Sequence, residues 1–187
     1  MKIKNGYANK YGMNGDKYMP NPYKGMKLDV GCGISLKEGY IGLDKRKLDG
    51  VSVVHDLEVF PYPIEDNTFA EIRGHHVIEH IKPWLTVDFM NELWRIMEPG
   101  GLLTLDMPYG GTNSYRQDPT HCNEFIELTF WYFDPRNQMY QIYQPQTWFI
   151  KYGYPLRMDG EFLRVLMWKL DGNLDALIAK NEEGKTI

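Results

Sequence analysis

Two glycines and three acids stand at spacings that could hold a nucleoside. Leu28-Asp29-Val30 runs straight into Gly31-Cys32-Gly33. Glycines directly after an apolar strand let the backbone turn sharply and approach a ligand with no side chain in the way. Asp44 follows Gly31 by 13 residues, at the end of Tyr40-Ile41-Gly42-Leu43. A carboxylate there can accept hydrogen bonds from both hydroxyls of a ribose. Asp56 closes residues 51–55 and is followed by Leu57, which pairs an acceptor for an adenine amino group with an apolar cover for the ring face. Cys32 reads as a small residue in a tight turn rather than a nucleophile.

A second group is rich in histidine. His76-Val77-Ile78-Glu79-His80 fits the H-x-x-E-H pattern that binds zinc in one group of peptidases when both histidines share a helix face. Pro83 interrupts such a helix soon after His80, so these residues are read as capping a strand and opening a turn, and no metal ligand set is assigned. Asp118-Pro119-Thr120-His121 offers a histidine after a turn. It can deprotonate a hydroxyl or amine, or hydrogen-bond locally.

These residues need elements to carry them. The pattern predicts short strands at residues 26–30, 40–43, 51–55, within 69–77 and at 102–107, most of them ending in Gly or Asp. Strands that end this way point to a parallel sheet whose carboxyl ends share one ligand-binding edge. Apolar residues at 85, 89, 93, 96 and 97 predict a helix over 84–97, stopped by Pro99-Gly100-Gly101. Only residues 31–39 and 44–50 are left for the first two crossovers, and a parallel crossover usually needs a dozen or more. Those helices must be vestigial or replaced by single turns. A helix is expected near residues 123–131 and further strands at 147–152 and 162–170. The expected layout is an arm over 1–24, a domain over 25–172 with an aromatic insert at 108–140, and a polar tail over 173–187.

Composition narrows the class. The 187 residues are 43% hydrophobic and 25% charged, which excludes a mainly disordered chain. No apolar run is long enough for a membrane span, no signal-peptide core follows Met1, and two cysteines are too few for a disulfide framework. A soluble, cytoplasmic protein is expected. The net charge of −4 divides into +5 over residues 1–27, with six lysines, and −9 over the rest. An acidic body does not look like a reader of duplex DNA.

The strings around the acids resemble the class I S-adenosylmethionine-dependent methyltransferases over residues 27–107. Leu28 to Gly33 is similar to the family's first motif and Tyr40 to Asp44 to its second. His55-Asp56-Leu57-Glu58, His76-Val77-Ile78-Glu79-His80-Ile81 and Leu93 to Gly101 follow in the family's order. The resemblance implies a Rossmann-like α/β fold, with a mostly parallel seven-stranded sheet, its last strand antiparallel and its first crossovers shortened. It also implies S-adenosylmethionine as cofactor. Gly31, Cys32 and Gly33 would contact its methionine part, Asp44 the ribose, and Asp56 with Leu57 the adenine. Asp29 would sit behind the loop, orienting it or reaching the amino group, and His75 would lie near the methyl donor. Ser35 stands where the family commonly has a third glycine. A nicotinamide fingerprint fits less well, because its third glycine would be Leu36 and Asp44 comes early. Met107-Pro108-Tyr109 lacks the polar first residue of the motif with which DNA amino-methyltransferases hold a flipped base.

The expected function is methyl transfer to an oxygen or nitrogen of a small-molecule or glycan acceptor, because the body is acidic and the segment after strand five aromatic. Candidate proton acceptors are His121, then His76 and Tyr109. Nucleic acid is the alternative acceptor, through Lys and through Tyr7, Tyr11, Tyr18 and Tyr23 of the arm. A catalytically inactive cofactor-binding scaffold is the other.

Overall fold

The computed structural model describes residues 21–170. Most of the amino-terminal arm, with Tyr7, Tyr11 and Tyr18, and the polar tail lie outside these residues.

Four strands open the domain: β1 (Met26–Val30), β2 (Ile41–Asp44), β3 (Val51–Val54) and β4 (Phe69–His75). Helix α1 (Thr86–Ile96) then leads into β5 (Met97–Pro108). After two single-turn helices, α2 (Asn113–Arg116) and α3 (Tyr140–Tyr143), come β6 (Trp148–Ile150), β7 (Leu156–Met158) and β8 (Phe162–Lys169). The sheet order is β3-β2-β1-β4-β5-β8-β6. Strands β1 to β5 are parallel and β8 runs antiparallel to β5. Among the described residues the sheet has eight strands where seven were expected, because β6 and β7 both pair with the edge of β8 away from β5. A kink at Gly153, with φ of 81°, divides what would be one strand.

The first two crossovers contain no helix, in keeping with their lengths. The face they leave open is therefore built differently from the other. On the closed face Leu28, Val30, Ile72, Leu105, Val165 and Met167 are wholly buried. Helix α1 adds Phe89, Met90, Leu93 and Ile96 at helical spacing to the same core. The open face is a ladder of ion pairs. Lys27 and the Tyr40 hydroxyl meet Glu71, Arg73 meets Asp29, and Arg164 with His75 meets Asp106. Burial alone would push the Asp106 carboxyl up. The hydrogen bonds and charges of His75 and Arg164 outweigh it and hold the group at about 2.

Two sequence expectations need correction. Pro99-Gly100-Gly101 does not stop the helix, which ends at Ile96. Met97 is already extended, and the Pro-Gly-Gly step forms a bulge inside β5. Met97 aligns with Phe69 and Leu102 with Glu71, so two steps along β4 face five along β5. Gly101 is required there: a Cβ would come within 2.6 Å of Met97 Cγ. The helix expected near residues 123–131 is instead a 3₁₀ helix over Glu127–Phe133. Its three-residue period explains the aromatic density. Phe130 and Phe133 turn inward and bury, whereas Leu128 and Trp131 turn outward.

Tyr23, the described tyrosine of the arm, does not reach the ligand edge. It stacks on Phe69, the first residue of β4, with ring centroids 6.1 Å apart. That is the amino end of the strand, opposite the edge where β1, β2 and β4 terminate.

Candidate cofactor and active site

The glycine loop leaves β1 through two left-handed residues, Gly31 with φ of 64° and Gly33 with φ of 53°. A side chain would be strained at both positions, at Gly31 for a second reason as well. A Cβ there would lie 2.3 Å from Val77 Cγ2. Three contacts shape the loop. Cys32 N–H donates to the Leu43 carbonyl at 3.2 Å. Gly33 N–H donates to Asp44 Oδ2 at 2.9 Å. The buried Asp29 accepts Lys37 N–H at 3.0 Å and Arg73 Nη1 at 2.8 Å. Asp29 thus ties β1 to the segment after the loop and to β4.

Asp44 ends β2 with both oxygens engaged. Arg46, which sequence reasoning passed over, donates its backbone N–H at 2.9 Å and Nε at 3.1 Å to Oδ1. Burial raises the Asp44 pKa, but the bonds from Arg46 and Gly33 outweigh it and hold the carboxyl below its ordinary range. The Arg46 side chain is 59% exposed, so it covers the carboxylate without being fixed by packing. Asp56 is exposed and uses one oxygen, Oδ1, to accept Glu58 N–H. Leu57 packs inward, its Cδ1 3.6 Å from where a Gly31 Cβ would stand. Cys32 is pushed up by burial and by the charges of Asp29 and Asp44. It is a protonated thiol in a turn.

Past β4 the chain forms a second centre. His76 has a left-handed φ of 53°, uncommon for a residue other than Gly or Asn and costly unless the surroundings impose it. Its Nδ1 lies 3.1 Å from Oε1 of Glu79, a wholly buried side chain. His121 arrives from the insert with Nε2 3.9 Å from the same oxygen. The insert is pinned there by backbone: Cys122 and Asn123 N–H groups both donate to the Glu79 carbonyl, at 2.9 and 3.1 Å. His75 turns elsewhere, toward Asp106 on the open face. Tyr109 does not join the cluster. Its hydroxyl donates to Glu127 at 2.8 Å, a bond that raises its pKa, and Arg157 lies over its ring.

No protein-family model and no curated protein sequence matches the chain. Solved structures do. A SAM dependent methyltransferase from Archaeoglobus fulgidus superposes with a TM-score of 0.58, over 79% of this chain and 89% of that one, at 14% identity. Another from Aquifex aeolicus gives 0.54 over 79% and 84%, at 17% identity. The YcgJ protein of Bacillus subtilis gives 0.53 over 80% and 94%, at 14% identity. The chain has the class I methyltransferase fold.

In this methyltransferase fold the glycine loop, Asp44, Asp56 and Leu57 all follow β1, β2 and β3 at the carboxyl edge of the sheet, where the sequence placed them. Glu79 is the residue sequence reasoning weighed only as part of a zinc pattern. Its signal was an acid between two histidines; its burial is a tertiary fact. The insert also opens two grooves, of about 330 and 730 Å³, that share Trp131, Arg136 and Asn137. Neither is lined by the glycine loop or by the histidine cluster.

Proposed function

We propose that the protein is an enzyme that transfers a methyl group from S-adenosylmethionine to an oxygen or nitrogen of a small-molecule or glycan acceptor. The observation that carries the reading is the left-handed Gly31–Gly33 turn tied by its backbone N–H to Asp44, at the carboxyl edge of a methyltransferase-fold sheet. The residues suit the cofactor. The turn carries no side chains at its two glycines, Asp44 is a strand-end carboxylate, and Asp56 keeps an oxygen free beside an apolar Leu57. Bound there, S-adenosylmethionine supplies a methyl group already activated by its sulfonium charge.

The chain's own work is then alignment, exclusion of water and removal of a proton. Asp44 would accept hydrogen bonds from the ribose hydroxyls in place of those it now takes from the Arg46 side chain. Asp56 accepts the adenine amino group, and Leu57 covers a ring face. Among the three candidate bases His76 has the best-formed setting. Its Nδ1–H is taken by Glu79, so Nε2 is left with a lone pair, a base oriented by a third group. A small or sugar acceptor is favoured by the −9 charge outside residues 1–27 and by the aromatic insert joined to Glu79.

Calorimetric titration with S-adenosylmethionine and S-adenosylhomocysteine tests the reading. Micromolar binding, weakened at least tenfold by Asp44→Ala and by Asp56→Ala, is expected. A folded protein that binds neither compound overturns it.

A further inference from the structure

Glu79, His80 and His121 each present a ligand atom, and these atoms lie within 4.8 Å of one another. The Glu79 carboxylate is wholly buried, and its Oε2 has no hydrogen-bond partner among the described residues. A buried carboxylate oxygen without a partner costs several kcal/mol unless a cation or donor meets it. The charges available nearby are imidazoles, whose nitrogens are also metal ligands.

The hydrogen bonds around the cluster have a consistent direction. His121 Nδ1 lies 2.7 Å from the Tyr115 carbonyl, which can only accept, so Nδ1 carries the proton and Nε2 the lone pair. The Thr120 hydroxyl donates to Asp118 Oδ1 at 2.7 Å. Its oxygen therefore accepts from His80 Nδ1 at 3.1 Å, and His80 too is left with a free Nε2. Glu79 Oε1 is held by His76 at 3.1 Å, so Oε2 is the oxygen that remains. Each ligand is thus oriented by a partner on its other polar atom, the outer-shell pattern of metal-binding histidines and carboxylates.

We propose that Glu79, His80 and His121 form a binding site for one divalent transition-metal ion. Two imidazoles and a carboxylate suit zinc and its neighbours rather than magnesium or calcium. Ligands on a tetrahedral zinc stand roughly 3.4 Å apart, and the three ligand atoms lie within 4.8 Å of one another, so a small approach of the side chains would close the site. The peptidase pattern assumed a helix presenting His76 and His80. The structure makes a 3₁₀ turn at Ile78–His80, assigns His76 to orient the carboxylate, and recruits the second imidazole from 41 residues along the chain. Three protein ligands leave positions for water or a substrate oxygen, as in catalytic sites. With methyl transfer, on which this role alone depends, an acceptor hydroxyl coordinated there loses its proton more readily.

The test is titration of the metal-stripped full chain with zinc chloride by calorimetry, and with cobalt(II) by visible absorption, both without cofactor. One ion per chain is expected. Glu79→Gln, His80→Ala and His121→Ala should each weaken binding at least 100-fold. Thr120→Val should weaken it about 10-fold through its outer-shell contact, and Cys122→Ser should leave it unchanged. Because His80 is partly exposed, its alanine variant carries the test if the Glu79 variant does not fold. Absence of binding, binding indifferent to all three ligand substitutions, or binding lost only with Cys122 overturns the site. Cofactor titration of the same variants is a separate readout, so failure of the metal site and failure of the methyl-transfer reading are distinguishable.

Discussion

The glycine loop and the Glu79 cluster lie on the same sheet edge but are held by opposite means. The loop is local. Gly31, Gly33, Asp44 and Arg46 span 16 positions of chain, and backbone geometry with a few short-range hydrogen bonds keeps them in place. The cluster is non-local. His76, Glu79 and His80 meet His121 because backbone N–H groups of residues 122 and 123 seat on the Glu79 carbonyl. The lesson is that a glycine loop and its strand-end acid can be held in a trimmed fold with no helix in its first crossovers, whereas the histidine cluster depends on the long segment after β5.

The largest effect should come from the point where the two regions touch. Gly31→Ala adds a Cβ against Val77, two residues before Glu79, and demands a left-handed alanine. The expected cost is about 3 kcal/mol of stability, with cofactor binding abolished. Denaturant unfolding and calorimetry measure the two parts, and an alanine variant of native stability would show the contact to be loose.

Glu79→Gln should separate the regions. Turnover should fall about 100-fold or more while S-adenosylmethionine affinity changes less than about threefold. An equal loss in both would mean that one structural unit underlies the two centres.

Asp106 tests the open face, where its carboxylate meets Arg164 and His75. Its folded pKa of about 2 is below the ordinary value near 3.9, so the native state favours the charged form. Its contribution is fully present above about pH 4 and disappears as pH falls toward 2. Asp106→Asn should flatten that acid limb, followed by thermal unfolding at stepped pH, and should leave cofactor affinity near neutral pH unchanged.

The smallest effect is expected at Arg46. Its exposed guanidinium competes with a ribose for Asp44, and such pairs are worth about 0–1 kcal/mol. Arg46→Ala should therefore raise cofactor affinity by up to about fivefold. A loss of affinity would show that Arg46 contacts the cofactor rather than guarding its site.

Chain periodicity and glycine spacing were enough for the parallel strands, the missing crossover helices and the loop with its acids. The loop and Asp44 depend on interactions within about fifteen residues, where strand ends and positive-φ glycines leave a direct trace in residue type; each strand shows in its own residues, although their pairing reaches as far as Leu28 with Ile72. Bulges and burial left no such trace. Pro99-Gly100-Gly101 reads as a helix stop, yet α1 ends earlier and β5 absorbs the bulge, because pairing with β4 and β8 outweighs local turn propensity. The 3₁₀ helix at 127–133 has an aromatic pattern that a helix or a pocket wall would also produce. Only packing selected the three-residue period. His121 was visible as a histidine after a turn, but its neighbour Glu79 lies 42 residues earlier. No spacing rule joins residues that far apart; that contact was decided when the insert folded back onto the end of β4.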